Sequence, residues 1–455
     1  MAAPQMSRVL STSMSRRRVL HTLGAAGGTV LLSTTGFPRS ARAAKKGTSL
    51  RFLNNETDPN TIAFLKQMAD EYEAASGVKL QVETVPVNDT WTKVTTAIKA
   101  GKPYDFITFG QITDPLLLAK DDLVVPLTDI VKEVGLDDFG PRALDWYRNE
   151  LWMYPYDYNF NYLIYRTDWF AEKNVQPPTD WDGFIRTLQA LHDPGNKRYA
   201  MTIPVSSGGQ TNWGNTAILW AAGVEIYDDK WNVLLDAPEM KPKVIQALEF
   251  LLKAAEYTPP GLLEVDLKAM LINFTSSTSA ITSYTGRLIH TIEDRSPELA
   301  DKYGLMPWPT PDGKRGVVTF ANDGFSIGKT ENSDAAKEFF RWFLKNGKLI
   351  DYQLTVPLHY QPPQFSTYKN ERWLAHPLVK KHWPAMEVML GFMNTDKTLS
   401  GSIQFQGPEP SPNQGRIWNS YVIPRMYQNV VTKKMTPSEA VDAAAKEIRE
   451  FTEKG

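Results

Sequence analysis

The chain of 455 residues contains no cysteine. It therefore cannot form a disulfide, a thiolate metal site or a lipid-modified cysteine behind an export signal. It also contains no apolar run of the roughly 18 residues that a membrane-spanning helix needs. Together these absences predict a protein that is neither lipidated nor embedded in a membrane.

Sequence patterns for metal ions and cofactors are missing as well. None of the six histidines has a partner four residues away, the spacing that lets two imidazoles share a metal ion on one helix face. Residues 324–330 resemble a phosphate-binding loop, but three residues separate the two glycines where the motif requires four. We therefore expect no metal ion and no cofactor.

The first 43 residues have the composition of a signal peptide. They contain six arginines and no acidic residue, then a stretch of apolar and small residues, and they end in an A-x-A cleavage site at residues 41–43. Residues 15–20 (SRRRVL) resemble a twin-arginine signal, which would mean export of an already folded protein. An ordinary secretory signal is the alternative. Cleavage would leave 44 basic and 51 acidic residues, a formal charge of −7, which argues against nucleic-acid binding. Because the chain has an export signal and no cysteine to carry a lipid, we expect the cleaved protein to be free in the periplasm.

The segment that follows predicts an α/β fold. Residues 49–54 have the pattern of a strand, and a helix runs from Asp58, at its N-cap, to Gly77. A strand over 79–85, a helix around 91–100 and a strand over 105–109 complete a βαβαβ order, which implies a parallel sheet. The residues beyond the signal exceed what one core usually serves, so we expect two or three domains.

Residues 404–415 are rich in Pro, Gly and Gln and are predicted to form a surface loop.

A more specific pattern lies at residues 154–184. A polar and aromatic segment leads into an apolar strand at 162–165, and a Pro-Pro pair followed by an N-capping Asp180 then starts a helix. This order resembles the first family of extracellular solute-binding proteins of ABC importers, the group that includes maltose-binding protein. The matching residues are Pro155, Tyr165, Pro177, Pro178, Trp181 and Phe184. Gly183 stands where the family usually has Glu, so this helix lacks a capping box.

The resemblance implies a type II-like periplasmic binding protein fold, with two α/β lobes and a hinged cleft between them. Each lobe would be a mostly parallel sheet flanked by helices. The N-terminal lobe would comprise residues 44–156 and 317–368, and the C-terminal lobe residues 157–316 and 369–455.

The resemblance also implies a function. The chain would be a monomer and not an enzyme, and it would deliver a carbohydrate, such as an oligosaccharide or a sugar derivative, to the permease subunits of an inner-membrane ABC importer. Closure of the hinge would trap the ligand.

A sugar site combines flat aromatic faces for the C–H surface of the ring with planar polar groups for its hydroxyls. In open α/β sheets, ligands lie beyond the carboxyl ends of the strands. Polar and aromatic residues follow the first and third strands and occupy the two points where the resemblance places the chain crossings. The candidates at these places are Asn54, Glu56, Gln111, Asp157, Tyr158, Asn322 and Asp323.

The resemblance adds candidates from the second half of the chain. Trp213, in a predicted Gly/Ser-rich loop, would be a stacking platform. Tyr284 would stack in a turn that also contains Gly286, and Arg287 would donate a forked pair of hydrogen bonds to hydroxyls or to an anion. Tyr360 would cap the cleft.

Several of these residues have a purely structural alternative. Asn54 and Asp58 are also typical helix caps, and Asn322 and Asp323 are equally compatible with a turn. A tryptophan such as Trp213 is most often part of a core.

The class of ligand has alternatives too. Arg287 also suits a glycerol phosphodiester or a sulfonated sugar, and a polyol is a further alternative. An exported polysaccharide-active enzyme is the alternative of another class, because spacing in a sequence cannot reveal a catalytic carboxylate pair.

Overall fold

The computed structural model describes residues 47–392 and 396–453. The predicted signal peptide, residues 1–43, lies outside these ranges. None of the helices in the described part of the chain is both long enough and apolar enough to cross a membrane.

The strands are β1 (Ser49–Asn54), β2 (Lys79–Thr84), β3 (Phe106–Phe109), β4 (Val124–Val125), β5 (Trp146–Tyr147), β6 (Glu150–Leu151), β7 (Tyr154–Arg166), β8 (Tyr199–Thr202), β9 (Ser279–Tyr284), β10 (Tyr303–Met306), β11 (Trp308–Pro309), β12 (Gly316–Gly328) and β13 (Thr398–Gly401).

The α-helices are α1 (Pro59–Ser76), α2 (Thr90–Lys99), α3 (Thr113–Lys120), α4 (Thr128–Val134), α5 (Thr167–Glu172), α6 (Trp181–Leu191), α7 (Gly209–Ala221), α8 (Lys241–Ala255), α9 (Leu267–Thr275), α10 (Arg287–Arg295), α11 (Ser333–Lys345), α12 (Lys348–Gln353), α13 (Glu371–Ala375), α14 (Pro377–Lys381), α15 (Trp383–Gly391), α16 (Pro412–Ser420), α17 (Val422–Val431) and α18 (Pro437–Glu453).

The N-terminal βαβαβ unit forms as the sequence predicts. β1 pairs in parallel with both β2 and β3. α1 begins after Asp58, whose side chain accepts a hydrogen bond from the Asn60 N–H at 2.9 Å, and it ends at Gly77, whose φ of 74° lies in the left-handed region. Asp180 caps α6 in the same manner through the Gly183 N–H, at 2.6 Å. These local signals were sufficient because capping depends only on neighbouring residues.

Two long strands, β7 and β12, run through the middle of the molecule. The sheet has the order β2-β1-β3-β12-β7-β9-β8, and β7 and β12 pair antiparallel at its centre. β12 also pairs with β3, and β7 also pairs with β9, so these two strands join the N-terminal and C-terminal halves of the sheet. The predicted lobe boundary at 156/157 falls inside β7, and the boundary at 316/317 falls at the start of β12. These exact boundaries stay predictions.

Large hydrophobic clusters support the sheet. One cluster is built around Phe106, Phe325 and Tyr352, packs α1 and α11 against β1, β3 and β12, and extends into the C-terminal half through residues of α9 and α10. Another, around Phe184 and Tyr427, packs α6, α7, α8, α17 and α18 against β8 and β9.

One predicted loop is only partly right, and another is wrong. In the segment 404–415, residues 406–411 lie outside helices and strands and Pro408 and Glu409 are exposed, as predicted. Gln404 and Gln414 are buried, however, and a helix, α16, begins at Pro412 with a capping box between Ser411 and Gln414. Gln414 Nε2 also donates to two backbone carbonyls of the preceding turn. These bonds satisfy polar groups that composition alone would assign to solvent. Trp213 likewise lies in the second turn of α7 and not in a loop.

Candidate functional site

A cavity of about 620 Å³ lies between the two halves of the molecule. Its walls come from the loops that follow β1, β2 and β3, from β7 and β12 where they pair, and from α7, α9, α10 and α16. Six of the predicted site residues line it: Glu56, Gln111, Trp213, Tyr284, Arg287 and Asp323.

An ion pair crosses this cavity. The Glu56 carboxylate, in the loop after β1, pairs with the Arg287 guanidinium at the start of α10. Arg287 Nη1 also lies 3.8 Å from Asp58 Oδ2, and the Tyr360 hydroxyl donates to Glu56 Oε2 at 2.9 Å. Arg287 therefore already has acidic partners within the protein.

A second polar link joins the two halves on another side of the cavity. Asp114 Oδ1 accepts hydrogen bonds from Gln111 Nε2 at 3.2 Å and from Asn419 Nδ2 at 2.7 Å. Asp114 belongs to α3, and Asn419 belongs to α16. Burial raises the pKa of Asp114 to about 6, although both hydrogen bonds favour its charged form.

Two carboxyl groups lie together where β7 pairs with β12: Asp323 lines the floor of the cavity, and Asp157 lies directly behind it. Asp157 is fully buried, and its Oδ1 accepts a hydrogen bond from the Asp323 backbone N–H at 3.1 Å. Asp323 Oδ2 accepts one from Asn159 Nδ2 at 2.9 Å. Burial raises the pKa of Asp323 to about 7. Burial and the charge of Asp323 raise the pKa of Asp157 well above its usual value.

His359 completes this floor. One ring nitrogen of His359 and one oxygen of each of Asp157 and Asp323 all lie within 4.8 Å of one another. Burial, together with the charge of Arg287, lowers the pKa of His359 well below its usual value, so the imidazole is neutral. Sequence analysis did not single out this histidine, although it named the adjacent Tyr360, because the approach of His359 to Asp157 and Asp323 depends on long-range packing.

Aromatic side chains also line the cavity. Trp213 is half-buried, and its indole N–H has no hydrogen-bond partner among the described residues. Trp91, Trp418 and Tyr421 line the same cavity and were missed from sequence. Trp91 could have been predicted as a site residue, because it lies just beyond the carboxyl end of β2, as several predicted residues lie beyond the ends of β1 and β3. No sequence signal marks Trp418 or Tyr421.

The structure places the other six predicted site residues outside the lining of the cavity: Asn54, Asp157, Tyr158, Gly286, Asn322 and Tyr360. Asp157 and Tyr360 are in the layer behind it, where they contact Asp323 and Glu56 through the hydrogen bonds given above.

The remaining four hold nearby backbone in place. Asn54 Nδ2 donates at 2.6 Å to a backbone carbonyl of the loop that carries Glu56. The Tyr158 hydroxyl and Asn322 Nδ2 donate to backbone carbonyls in the segment 141–143. A Cβ on Gly286 would lie 1.6 Å from a backbone carbonyl oxygen of the neighbouring segment, so glycine is required for that close approach.

The lining carries more acidic than basic side chains. The acidic residues are Glu56, Asp58, Asp114, Asp266 and Asp323, and the basic residues are Lys268, Arg287 and Arg295. An excess of negative charge disfavours an anionic ligand.

Comparison with known proteins gives consistent results. A family model described as bacterial extracellular solute-binding protein matches residues 58–348. The Escherichia coli (strain K12) protein YcjN, which carries the name of an ABC transporter periplasmic-binding protein, is 21% identical over 418 residues, covering 90% of this chain and 94% of that protein. A maltotriose-binding protein from Pyrococcus abyssi (strain GE5 / Orsay) is 24% identical over 333 residues, covering 70% and 67%.

A solved structure shares the fold. The ABC transporter solute-binding protein from Agrobacterium radiobacter K84, in complex with ribitol, superimposes with a TM-score of 0.73 at 20% identity, over 89% of this chain and 99% of that one. This likeness confirms the predicted two-lobe α/β fold. The relatives are solute-binding proteins and not enzymes. The family model spans well over half of the sequence, and the chain belongs to the bacterial extracellular solute-binding protein family.

Proposed function

We propose that the chain is the periplasmic substrate-binding component of an ABC importer and that it traps a neutral carbohydrate between its two lobes. The observation that supports this proposal most strongly is that three indole rings and several planar polar groups line one cavity. Trp91, Trp213 and Trp418 offer flat faces for sugar C–H surfaces, and Gln111 and Asn159 offer amides for hydroxyls. The volume of about 620 Å³ lies within the range usual for small-molecule sites.

The charges at the site support a neutral ligand. Arg287, the residue that would favour a phosphodiester or a sulfonated sugar, is paired with Glu56. The name of the maltotriose-binding relative supports an oligosaccharide. A polyol is the second candidate, favoured by the ribitol bound to the Agrobacterium protein.

The other parts of the proposal follow from the family and from the N-terminal sequence. Residues 1–43 would act as a twin-arginine signal, and the cleaved, unlipidated protein would work in the periplasm as a monomer. It would pass its ligand to the permease subunits of the importer.

The proposal is tested by thermal unfolding of the chain from Ala44 onward, with oligosaccharides, monosaccharides, polyols and sugar phosphates. A ligand at 1,000 times its dissociation constant stabilises by about 4 kcal/mol, which raises the midpoint by several degrees. We expect this shift with a neutral carbohydrate or polyol that is recovered intact. A shift with sugar phosphates alone would overturn the ligand class, and recovery of a cleaved sugar would replace the binding protein with an enzyme.

The site itself is tested by Trp213→Ala, which should weaken binding by about 1–3 kcal/mol because a stacking face is lost. Isothermal calorimetry measures the change. Trp146→Ala is the matched control, because Trp146 is 39% exposed and lies outside the cavity. Equal affinities for the two variants would contradict the role of Trp213.

A further inference from the structure

The floor of the cavity has the composition of a metal site, which the spacing of residues along the chain did not reveal. Asp157 comes from β7, Asp323 from β12 and His359 from the segment after α12. One potential ligand atom from each lies within 4.8 Å of the other two. Metal-bound oxygen and nitrogen atoms lie about 2.0–2.2 Å from zinc, so shifts of less than about 1 Å in each side chain would bring all three into coordination.

Each of these three side chains has one polar atom held by the protein and another left for a ligand. Asp157 Oδ1 is held by the Asp323 N–H, and Asp323 Oδ2 is held by Asn159 Nδ2. His359 Nδ1 lies 3.2 Å from Thr285 Oγ1, and when it donates there the lone pair of Nε2 is free. Such supporting bonds fix the orientation of metal ligands in known sites.

The free atoms are deeply buried. Asp157 Oδ2 and Asp323 Oδ1 have no hydrogen-bond partner in the described part of the chain. The same is true of Asn159 Oδ1, from a residue that is 3% exposed, lines the cavity and is not itself one of the three. Buried polar atoms without partners are rare and costly, so three of them at one place indicate a missing binding partner.

The balance of charge indicates that this partner is a cation. Among the largest electrostatic effects on the Asp157 carboxylate, those of Asp323 and Glu56 are repulsive and that of Arg287 is attractive. With the acids ionised, the group carries two uncompensated negative charges, which a divalent ion would neutralise.

We propose that Asp157, Asp323 and His359 bind a divalent first-row transition ion, such as Mn²⁺ or Zn²⁺, at the floor of the cavity. Two carboxylates and an imidazole suit these ions, whereas Ca²⁺ prefers six to eight oxygen ligands. Asp323 and His359 line the cavity, so oxygen atoms of solvent or of a bound ligand can complete the coordination. This proposal does not rest on the identity of the transported solute.

The test is a calorimetric titration of untagged, chelator-treated protein with Mn²⁺ and with Zn²⁺, in the absence of any sugar. We expect one ion per chain, and we expect Asp157→Asn, Asp323→Asn and His359→Gln each to weaken binding at least tenfold. Asp266→Asn is the control, because it removes a carboxylate that lines the cavity outside the cluster and should leave metal affinity unchanged.

No binding of either ion at millimolar concentration would overturn the proposal, as would equal losses in Asp266→Asn and Asp157→Asn. Should His359→Gln fail to fold, Mn²⁺-induced broadening of the His359 ring signals in the unaltered protein supplies the same information. Repeating the sugar titration in chelator keeps the two proposals separate, because either one can fail while the other stands.

Discussion

At the scale of single residues, the sequence located the cavity but could not tell which neighbour faces it. Asn322 and Asp323 were predicted together, yet successive side chains of a strand point to opposite faces. Asp323 faces the cavity, and Asn322 bonds the 142–143 backbone instead. The same alternation makes Asn159, two residues after Asp157, a candidate that the pattern could have supplied. His359 and Trp418 reach the site only through long-range packing.

Asp145 provides a test of burial at one position. Burial raises the pKa of Asp145 to about 7, against the opposing effects of the Asn322 amide and of Arg142. A carboxyl with a higher pKa in the folded protein than in the unfolded chain binds its proton more tightly when folded. Its contribution therefore makes the protein more stable as pH falls from about 7 to about 4. Asp114 and Asp323, with pKa values of about 6 and about 7, act in the same direction.

We expect Asp145→Asn to raise the stability at pH 8 by roughly 2–4 kcal/mol and to change it little at pH 4, because the charged form is no longer buried. Denaturant unfolding at a series of pH values measures the effect. The exposed Asp229→Asn should follow the wild-type profile. A uniform change of stability at all pH values would show that the substitution acts through packing and not through charge.

At the scale of elements, helices with local signals were predicted well, and α16 was not. Asp58, Gly77 and Asp180 mark helix ends by bonds to nearby backbone, which a sequence displays directly. α16 begins instead in a Pro- and Gly-rich segment whose buried glutamines find partners only in the folded chain. α16 also packs on α3 across the cleft, and no local sequence pattern predicts this contact.

The contact of α16 with α3 depends on a glycine. A Cβ on Gly415 would lie 2.8 Å from the Thr113 carbonyl oxygen and 2.8 Å from Leu117 Cδ1. Gly→Ala in a helix normally gains up to about 1 kcal/mol, but overpacking against backbone costs about 1–3 kcal/mol. We expect Gly415→Ala to lower the thermal midpoint and to weaken ligand binding, because the two halves can no longer approach fully.

Gly391→Ala is the matched control for this element. Gly391 ends α15, and a Cβ there would meet nothing within 4 Å. It should leave ligand affinity unchanged and leave the thermal midpoint equal or slightly higher. If Gly415→Ala behaves like Gly391→Ala, the close approach of α16 to α3 does not exist in solution.

At the scale of the whole molecule, the sequence predicted the fold class and the two lobes but not how the lobes are joined. The order of strands and helices near the N-terminus gave the parallel unit. The pairing of Asp157 with Asp323 joins residues that are far apart in the chain, and no periodicity in either strand shows it. Only the family resemblance indicated two chain crossings, and it left the interlobe bonds undefined.

These interlobe bonds lead to a prediction about closure. Breaking the ion pair between Glu56 and Arg287 removes an attraction across the cavity and leaves a buried carboxylate without its partner, so Arg287→Met should favour the open form without ligand. Each 1.4 kcal/mol lost lowers the closed-to-open ratio about tenfold.

Spin labels can measure this change, because the chain has no cysteine of its own. Glu73→Cys and Glu249→Cys are both exposed and lie on opposite halves, so labels there report the interlobe distance by pulsed electron paramagnetic resonance. Without ligand, the distances should be longer in Arg287→Met than in the parent protein, and adding Glu56→Gln should reverse part of the change because the buried Glu56 carboxylate is then replaced by a neutral amide. Identical distributions in all three proteins would show that this ion pair does not hold the lobes together.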